Sequence, residues 1–243
     1  MALPNEKNNK RTRRSRETLE NDLFSAAYKV ISKYGFHGLT VKGLLEEAKA
    51  DPPVFYKRYS DINDFIEKFI RNYDYWLNDS VELNEKELSP IENAEQIITK
   101  LIDSLLDNEC MQKLLAWELN EDSSITRRSS QNRDNNSGHL IDYFEKTLKD
   151  CDVNFNVGMA VLVGGIYYLI CHRKMATFNR VNFNTPEGIE ALKATVTLML
   201  RKIYSNENRI NTINIAKKLL KNNVDISIVQ QSTGLPMEIL STL

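Results

Sequence analysis

The sequence predicts an all-α protein. Three observations predict it. Apolar residues recur at three- and four-residue intervals through most of the chain. Strand-type alternation is scarce. Helix-starting and helix-stopping residues stand at the ends of the periodic stretches. The chain has 243 residues, 42% apolar and 27% charged, which suits one or two domains with a buried core. With only 9 Gly and 6 Pro, collagen-like and linker-dominated chains are excluded.

The first sixteen residues carry no apolar periodicity. They hold six Lys and Arg against one Glu, a flexible basic arm with a charge of +5. Helical spacing then begins with Leu19, Leu23, Ala26, Ala27, Val30, Ile31 and Tyr34, and Gly35 ends it. Thr40 caps a short second helix with Val41, Leu44, Leu45 and Ala48 inside. Asp51 is a good N-cap for a very short third helix from Val54 to about Tyr59, with Pro52 at its front. A fourth helix starts near Asp61 and carries Ile62, Phe65, Ile66, Phe69, Ile70, Tyr73 and Leu77.

Ser89-Pro90-Ile91-Glu92 is a capping-box start for a helix through Leu105. Met111 to Leu119 reads as another helix. Glu121 to His139 is polar and Asn/Ser-rich, partly loop and partly the front of a helix ending near Asp150. Val157 to Cys171 is a run of 15 residues without a charge. A membrane span needs about 20, so a buried helix is expected there. Thr185-Pro186-Glu187 opens a helix with Ile189, Leu192, Val196, Met199 and Ile203 at heptad spacing. Residues 210–243 look like an appended helical element, with Asp225 as a cap and Thr233 to Pro236 as a turn.

The formal net charge is −1, but residues 1–60 sum to +5 and the remainder to −6. Residues 17–60 sum to zero, so the arm holds the whole basic excess. That asymmetry points to nucleic acid as a partner of the arm. The three cysteines, Cys110, Cys151 and Cys171, give no disulfide framework, and no Cys/His cluster has zinc spacing. No metal and no cofactor are expected. No apolar stretch follows the basic residues, so no signal peptide is expected and the protein reads as cytoplasmic. No Gly-rich phosphate loop, HExxH or GxSxG occurs, and Cys171-His172 point in different directions on a helix. An enzyme is not expected.

Residues 18–60 form a long helix, a short helix, a tight turn and a very short helix, the order a helix-turn-helix needs. The stretch from Ala26-Ala27 through Tyr34-Gly35-Phe36-His37-Gly38-Leu39-Thr40-Val41, Ala48-Lys49-Ala50-Asp51 and Phe55-Tyr56-Lys57-Arg58-Tyr59 to Phe65 resembles the DNA-binding domain of TetR/AcrR-type regulators. The resemblance covers roughly residues 18–66. It implies four segments: the arm 1–16, a helix-turn-helix domain 17–61, a helical ligand-binding and dimerisation domain 62–205, and the appended element 206–243.

It also implies a ligand-responsive homodimer, a repressor by expectation, that binds a palindromic operator in double-stranded DNA. Thr40, Lys42, Pro52, Pro53, Val54, Tyr56 and Lys57 would meet the DNA. Hydroxyls and ammonium groups are the usual phosphate partners. Tyr59 reads as core. The front of the third helix is nearly bare of polar side chains, which leaves Val54, Lys57 or Arg58, and DNA shape, as the readers. Tyr73, Trp76, Trp117, Tyr167 and Tyr168 would line a pocket for an unidentified small molecule, although aromatics at this spacing are more often core. No membrane association is expected.

Three positions depart from the family pattern. Leu45 stands where a small residue is usual, Lys49 where the turn has glycine, and Ile62 where the fourth helix starts with lysine. Lys49 in a left-handed turn would cost about 1 kcal/mol or more, which leaves another turn conformation as an alternative there. These departures and the proline pair motivate an alternative, an interaction module on the same fold with weak or lost specific DNA binding.

Overall fold

The computed structural model describes residues 16–73, 83–148, 153–204 and 207–243. The basic arm up to residue 15, Trp76, Leu77 and Cys151 lie outside them. The described residues form twelve α-helices, and the one bridge of strand type among them is the isolated pair Phe178 and Val181. The chain divides into two compact units, residues 1–75 with 109–130, and residues 76–108 with 131–243.

The first unit contains α1 (Arg16–Tyr34), α2 (Val41–Ala48), α3 (Pro52–Tyr56), α4 (Ile62–Tyr73) and α6 (Glu109–Asn120). Gly35 ends α1 with φ 73°, and its N–H donates to Ile31 O at 2.7 Å. A single 3-10 turn, Phe36–Gly38, follows. Tyr34, expected on the apolar face, is the last residue of α1 and is 62% exposed. The aromatic stripe of α4 does close on α1. Phe24 meets Phe65 at 5.8 Å and Phe69 at 5.7 Å between ring centroids, and Lys68 pairs with Glu20 at 2.6 Å.

The first unit therefore extends past the boundary expected at residue 62. The fourth helix supplies the aromatic floor, and α6 adds Trp117, whose ring stacks on Phe36 at 4.6 Å with 7° between planes. Its indole Nε1 donates to Glu121 Oε2 at 2.8 Å, and that same oxygen lies 3.6 Å from His37 Nδ1.

The polar stretch expected to be partly loop is helical from residue 124. Helix α7 runs Ser124–Thr147. Its start is tied by a reciprocal pair: Ser123 N donates to Thr126 Oγ1 at 2.9 Å, and Thr126 N to Ser123 Oγ at 3.3 Å. Thr126 and Ser129 are buried at 2% exposure each, and Arg128 bridges to Glu67. Apolar periodicity misses such a helix because its anchors are small hydroxyl side chains.

The second unit is built on α5 (Pro90–Leu106), α8 (Phe155–His172) and α9 (Pro186–Tyr204), with α5 packing on both α8 and α9. The capping box at Ser89 is complete: Ser89 Oγ accepts from Glu92 N, and the Glu92 carboxylate accepts from Ser89 N at 2.9 Å. Arg201 of α9 clasps Glu95 of α5, and Lys193 reaches Asp103 at 2.6 Å.

Two expectations change here. The heptad seam on α9 is replaced by a row at intervals of four, Gly188, Leu192, Val196, Leu200 and Tyr204, all buried. Met199 and its neighbour Leu198 are exposed. Packing along an i, i+4 ridge selects this row. Helix α8, expected to be buried, turns inward only the row Phe155, Leu162, Ile166 and Ile170. Its 18 residues are long and apolar enough to cross a membrane by length and composition, and 22% of them are buried. Val157, Val161 and Tyr168 stand 62%, 69% and 47% exposed.

Toward the C-terminal end, α10 (Glu207–Lys221), α11 (Ile226–Thr233) and α12 (Met237–Leu240) share a small core of Ala216, Val229, Leu235 and Leu240. Asp225 caps α11 by accepting from Ser227 N at 2.8 Å, and Gly234 ends it with φ 68°.

A tight approach joins the start of α8 to the end of α9. A Cβ built on Gly158 lies 1.9 Å from Tyr204 Oη, and that hydroxyl donates to Phe155 O at 3.3 Å. Gly158→Ala is expected to destabilise the protein by about 1–3 kcal/mol in urea unfolding. In a Tyr204→Phe background the same substitution costs less, because the clashing oxygen is gone.

Candidate nucleic-acid interface

The candidate interface is a short helix held from behind. Five residues are far too few for a helix to persist alone in water. Helix α3 is held by Phe55, which is fully buried, and by Tyr59 just beyond it at 2% exposure. Phe55 lies 5.2 Å from Tyr59 and 5.8 Å from Phe65 between ring centroids. Tyr59 meets Phe65 edge-on at 5.0 Å. Burial, with Glu20 nearby, pushes the Tyr59 phenol up to about 12, so it stays neutral. Tyr59 is core, as expected.

The opposite face of α3 is open. Tyr56 is 58% exposed, and Lys57, Pro52 and Pro53 are exposed beside it. Val54 is half-buried. The Tyr56 ring stands edge-on to Phe55 at 5.4 Å, so the buried ring steadies the exposed one. Arg58 does not join them. Its Nη1 donates to Val54 O at 3.0 Å, and its buried Nε has no partner among the described residues. Of the two basic residues weighed as readers, Lys57 is the one left pointing outward.

Thr40 sits at the front of α2. Its Oγ1 accepts from Gly43 N at 3.1 Å, which closes one open helix donor. The hydroxyl proton remains available to a phosphate oxygen. Lys42, the second residue of the helix, has 87% of its side chain exposed and stands 3.9 Å from Glu46. Exposed Thr40, Lys42, Tyr56 and Lys57 all belong to the first unit.

Two features of the turn differ from expectation. Lys49 adopts the left-handed conformation directly, with φ 50° and ψ 47°. The turn is closed by Lys49 N to Glu46 O at 3.3 Å and Ala50 N to Leu45 O at 3.0 Å, which offset the strain. Asp51 occupies the N-cap position but its side chain caps nothing. Pro52 and Pro53 carry no N–H, and the Val54 N–H donates instead to the backbone oxygen of Asp51 at 3.0 Å. Proline at both of the first two positions leaves the Asp51 carboxylate idle. The departure at Leu45 is absorbed by burial, at 6% exposure. At Ile62 the helix start is capped by Asp61, which accepts from Asn63 N at 2.8 Å and Asp64 N at 2.9 Å.

The expected pocket residues fall in different places. Trp117 is buried in the first unit on Phe36. Tyr168, in the second unit, stacks on His172 at 5.3 Å and meets Phe178 at 5.2 Å. Tyr167 is half-buried. Tyr73 ends α4 and is described by its backbone alone. Sequence reasoning missed the pairing of Phe36 with Trp117 altogether, since 80 residues separate them and no local spacing rule links them.

The angles at Lys49 are those that favour glycine, so Lys49→Gly is expected to raise stability by about 0.5–1 kcal/mol. Chemical denaturation with unchanged cooperativity checks this.

No protein-family model matches the sequence, and no curated protein matches it. Solved structures do match in shape. The fatty acid degradation regulator FadR from Bacillus halodurans superposes with a TM-score of 0.58 at 12% identity, over 77% of this chain and 96% of that one. A TetR family transcription regulator from Marinobacter aquaeolei VT8 gives 0.55 at 15% identity, over 74% and 94%. SCO3833, a TetR regulator family member from Streptomyces coelicolor A3, gives 0.51 at 14% identity, over 73% and 88%. The all-α chain, with its N-terminal helix-turn-helix and second helical unit, therefore has the fold of the TetR-family transcription regulators.

Proposed function

We propose that this protein is a transcription regulator: a homodimer that binds a palindromic operator in double-stranded DNA and answers to a small-molecule effector, most simply as a repressor. One observation carries the reading. A helix too short to stand alone is locked by a fully buried Phe55 while its Tyr56 and the adjoining Lys57 face solvent, as do Thr40 and Lys42 at the front of α2. A rigid mount behind an exposed hydroxyl-and-ammonium surface is what backbone contact to a duplex requires. The basic excess of residues 1–16 supports it by adding sequence-independent attraction.

The dimer reading is supported by the outward rows of the second unit. Val157, Val161 and Tyr168 on α8 and Leu198 and Met199 on α9 are exposed apolar side chains. Between them Gly164 and Gly165 have open space where a Cβ would be. A second copy covering this face by two-fold symmetry removes that surface from water and brings helices close. Two reading heads then sit on half-sites about 34–36 Å apart, or a multiple of that. The effector half of the reading is supported by the fold and by regulators of that fold; ligand would favour one head separation over another. On this reading the protein works in the cytoplasm, with the DNA it binds.

A specific observation favours a second reading. Pro52 and Pro53 leave the front of α3 without two backbone donors that elsewhere meet a phosphate. An interaction module that kept the fold without selective DNA binding would look the same at these positions. Capture of a protein partner, with DNA affinity no better than non-specific, would favour it.

Fluorescence anisotropy on duplexes from the upstream region of its own gene separates the two. The wild type is expected to bind one duplex selectively, with affinity falling as salt rises. Tyr56→Ala with Lys57→Ala is expected to weaken binding at least tenfold and to lower the salt slope by about 1. Retention of full affinity in the double variant would defeat the reading. For the dimer, Val161→Arg is expected to convert the sedimenting species to monomer while helix content by circular dichroism stays unchanged.

A further inference from the structure

The exposed side chains of the reading head have an unusual chemistry. Specific readout in the major groove most often uses Arg or Lys donating to guanine and the Asn or Gln amide paired bidentately with adenine. The front of α3 offers none of these. Its exposed residues are Asp51, Pro52 and Pro53, followed by half-buried Val54. Arg58 is withdrawn onto Val54 O at 3.0 Å, and Lys57 stands at the far end of the helix. The surface is thus an acceptor followed by apolar groups.

The acceptor is uncommitted to the helix. Asp51 makes no cap bond, because the first two helical residues have no N–H and the third gives its N–H to the Asp51 backbone oxygen. A carboxylate facing phosphates lowers affinity. A base-edge donor is the partner that offsets this, and in the major groove the cytosine N4 amino group is the donor that pairs with Asp or Glu. Val54 and the Pro53 ring present carbon to the adjacent base, and the thymine methyl is the apolar group of the major groove.

We propose that this head selects pyrimidines on one strand of each half-site. Asp51 accepts a hydrogen bond from the N4 amino group of a cytosine, and Val54 with Pro53 packs on the methyl of a neighbouring thymine. The proposal rests on the DNA-binding reading above and names the class of sequence that site takes.

The test is selection from a randomised duplex library with the full-length protein, followed by anisotropy on the selected duplex. Wild-type selection is expected to fix cytosine at one position of each half-site. Changing that cytosine to thymine is expected to weaken the wild type roughly tenfold and Asp51→Asn less than twofold. Replacing the neighbouring thymine by deoxyuracil, which removes only the methyl, is expected to weaken the wild type several-fold. That second measurement needs no protein variant. Selective binding whose base preference is unchanged in Asp51→Asn, or is indifferent to deoxyuracil, overturns the proposal and leaves the DNA-binding reading standing. Selection of no sequence at all overturns the DNA-binding reading itself.

Discussion

The interaction on which the first unit depends is the burial of the Phe55 ring. Phe55 is the only fully buried residue of a five-residue helix, and its ring lies within 6 Å of those of Tyr56, Tyr59 and Phe65. Burying such a side chain contributes about 1.5–3 kcal/mol. That is enough to hold a segment which local hydrogen bonds alone would not keep helical. Because α3 is fixed from behind, its outward residues inherit a defined direction. Phe24, Phe65 and Phe69 extend the same aromatic layer to α1 and α4, so α3 stands on an aromatic floor.

The second unit is governed by a different constraint, the one-sidedness of its helices. Helix α9 buries a row spaced by four and α8 a row spaced by seven and four, and each leaves apolar side chains exposed beside it. A helix as apolar as α8 that leaves Val157, Val161 and Tyr168 exposed keeps apolar surface in contact with water. The same glycine-bearing helix meets Tyr204 closely on its inner side and has open space at Gly164 and Gly165 on its outer side. Helix α8 is thus closely packed at Gly158 and open at Gly164 and Gly165.

Much of this is legible in the sequence because it is local. The caps at Thr40, Ser89 and Asp225 are readable there, since a hydroxyl or carboxylate two or three residues before a helix N–H reaches it whatever the rest of the chain does. Asp51 breaks the same rule. The rule assumes a free N–H at the second or third helical position, and two prolines with a backbone acceptor remove it. The helix over 124–139 escapes the apolar pattern because Thr126 and Ser129 bury hydroxyls where the pattern looks for hydrocarbon. Heptad spacing on α9 rests on Met199 and Ile203 being apolar; apolar identity does not say which apolar row faces the neighbour.

The sequence by itself determined the helices, most of their ends and the helix-turn-helix order, because these depend on spacings of three to four residues and on single capping side chains. The tertiary structure alone decided which rows are buried, that α4 and α6 complete the first unit, and that Arg58 turns back while Tyr56 and Lys57 face out. Those outcomes depend on contacts between residues far apart in the chain, such as Phe36 with Trp117, which no local rule encodes. The same holds for Asp51: its identity is on view in the sequence, but its freedom from the helix is a matter of which N–H groups the fold has already satisfied.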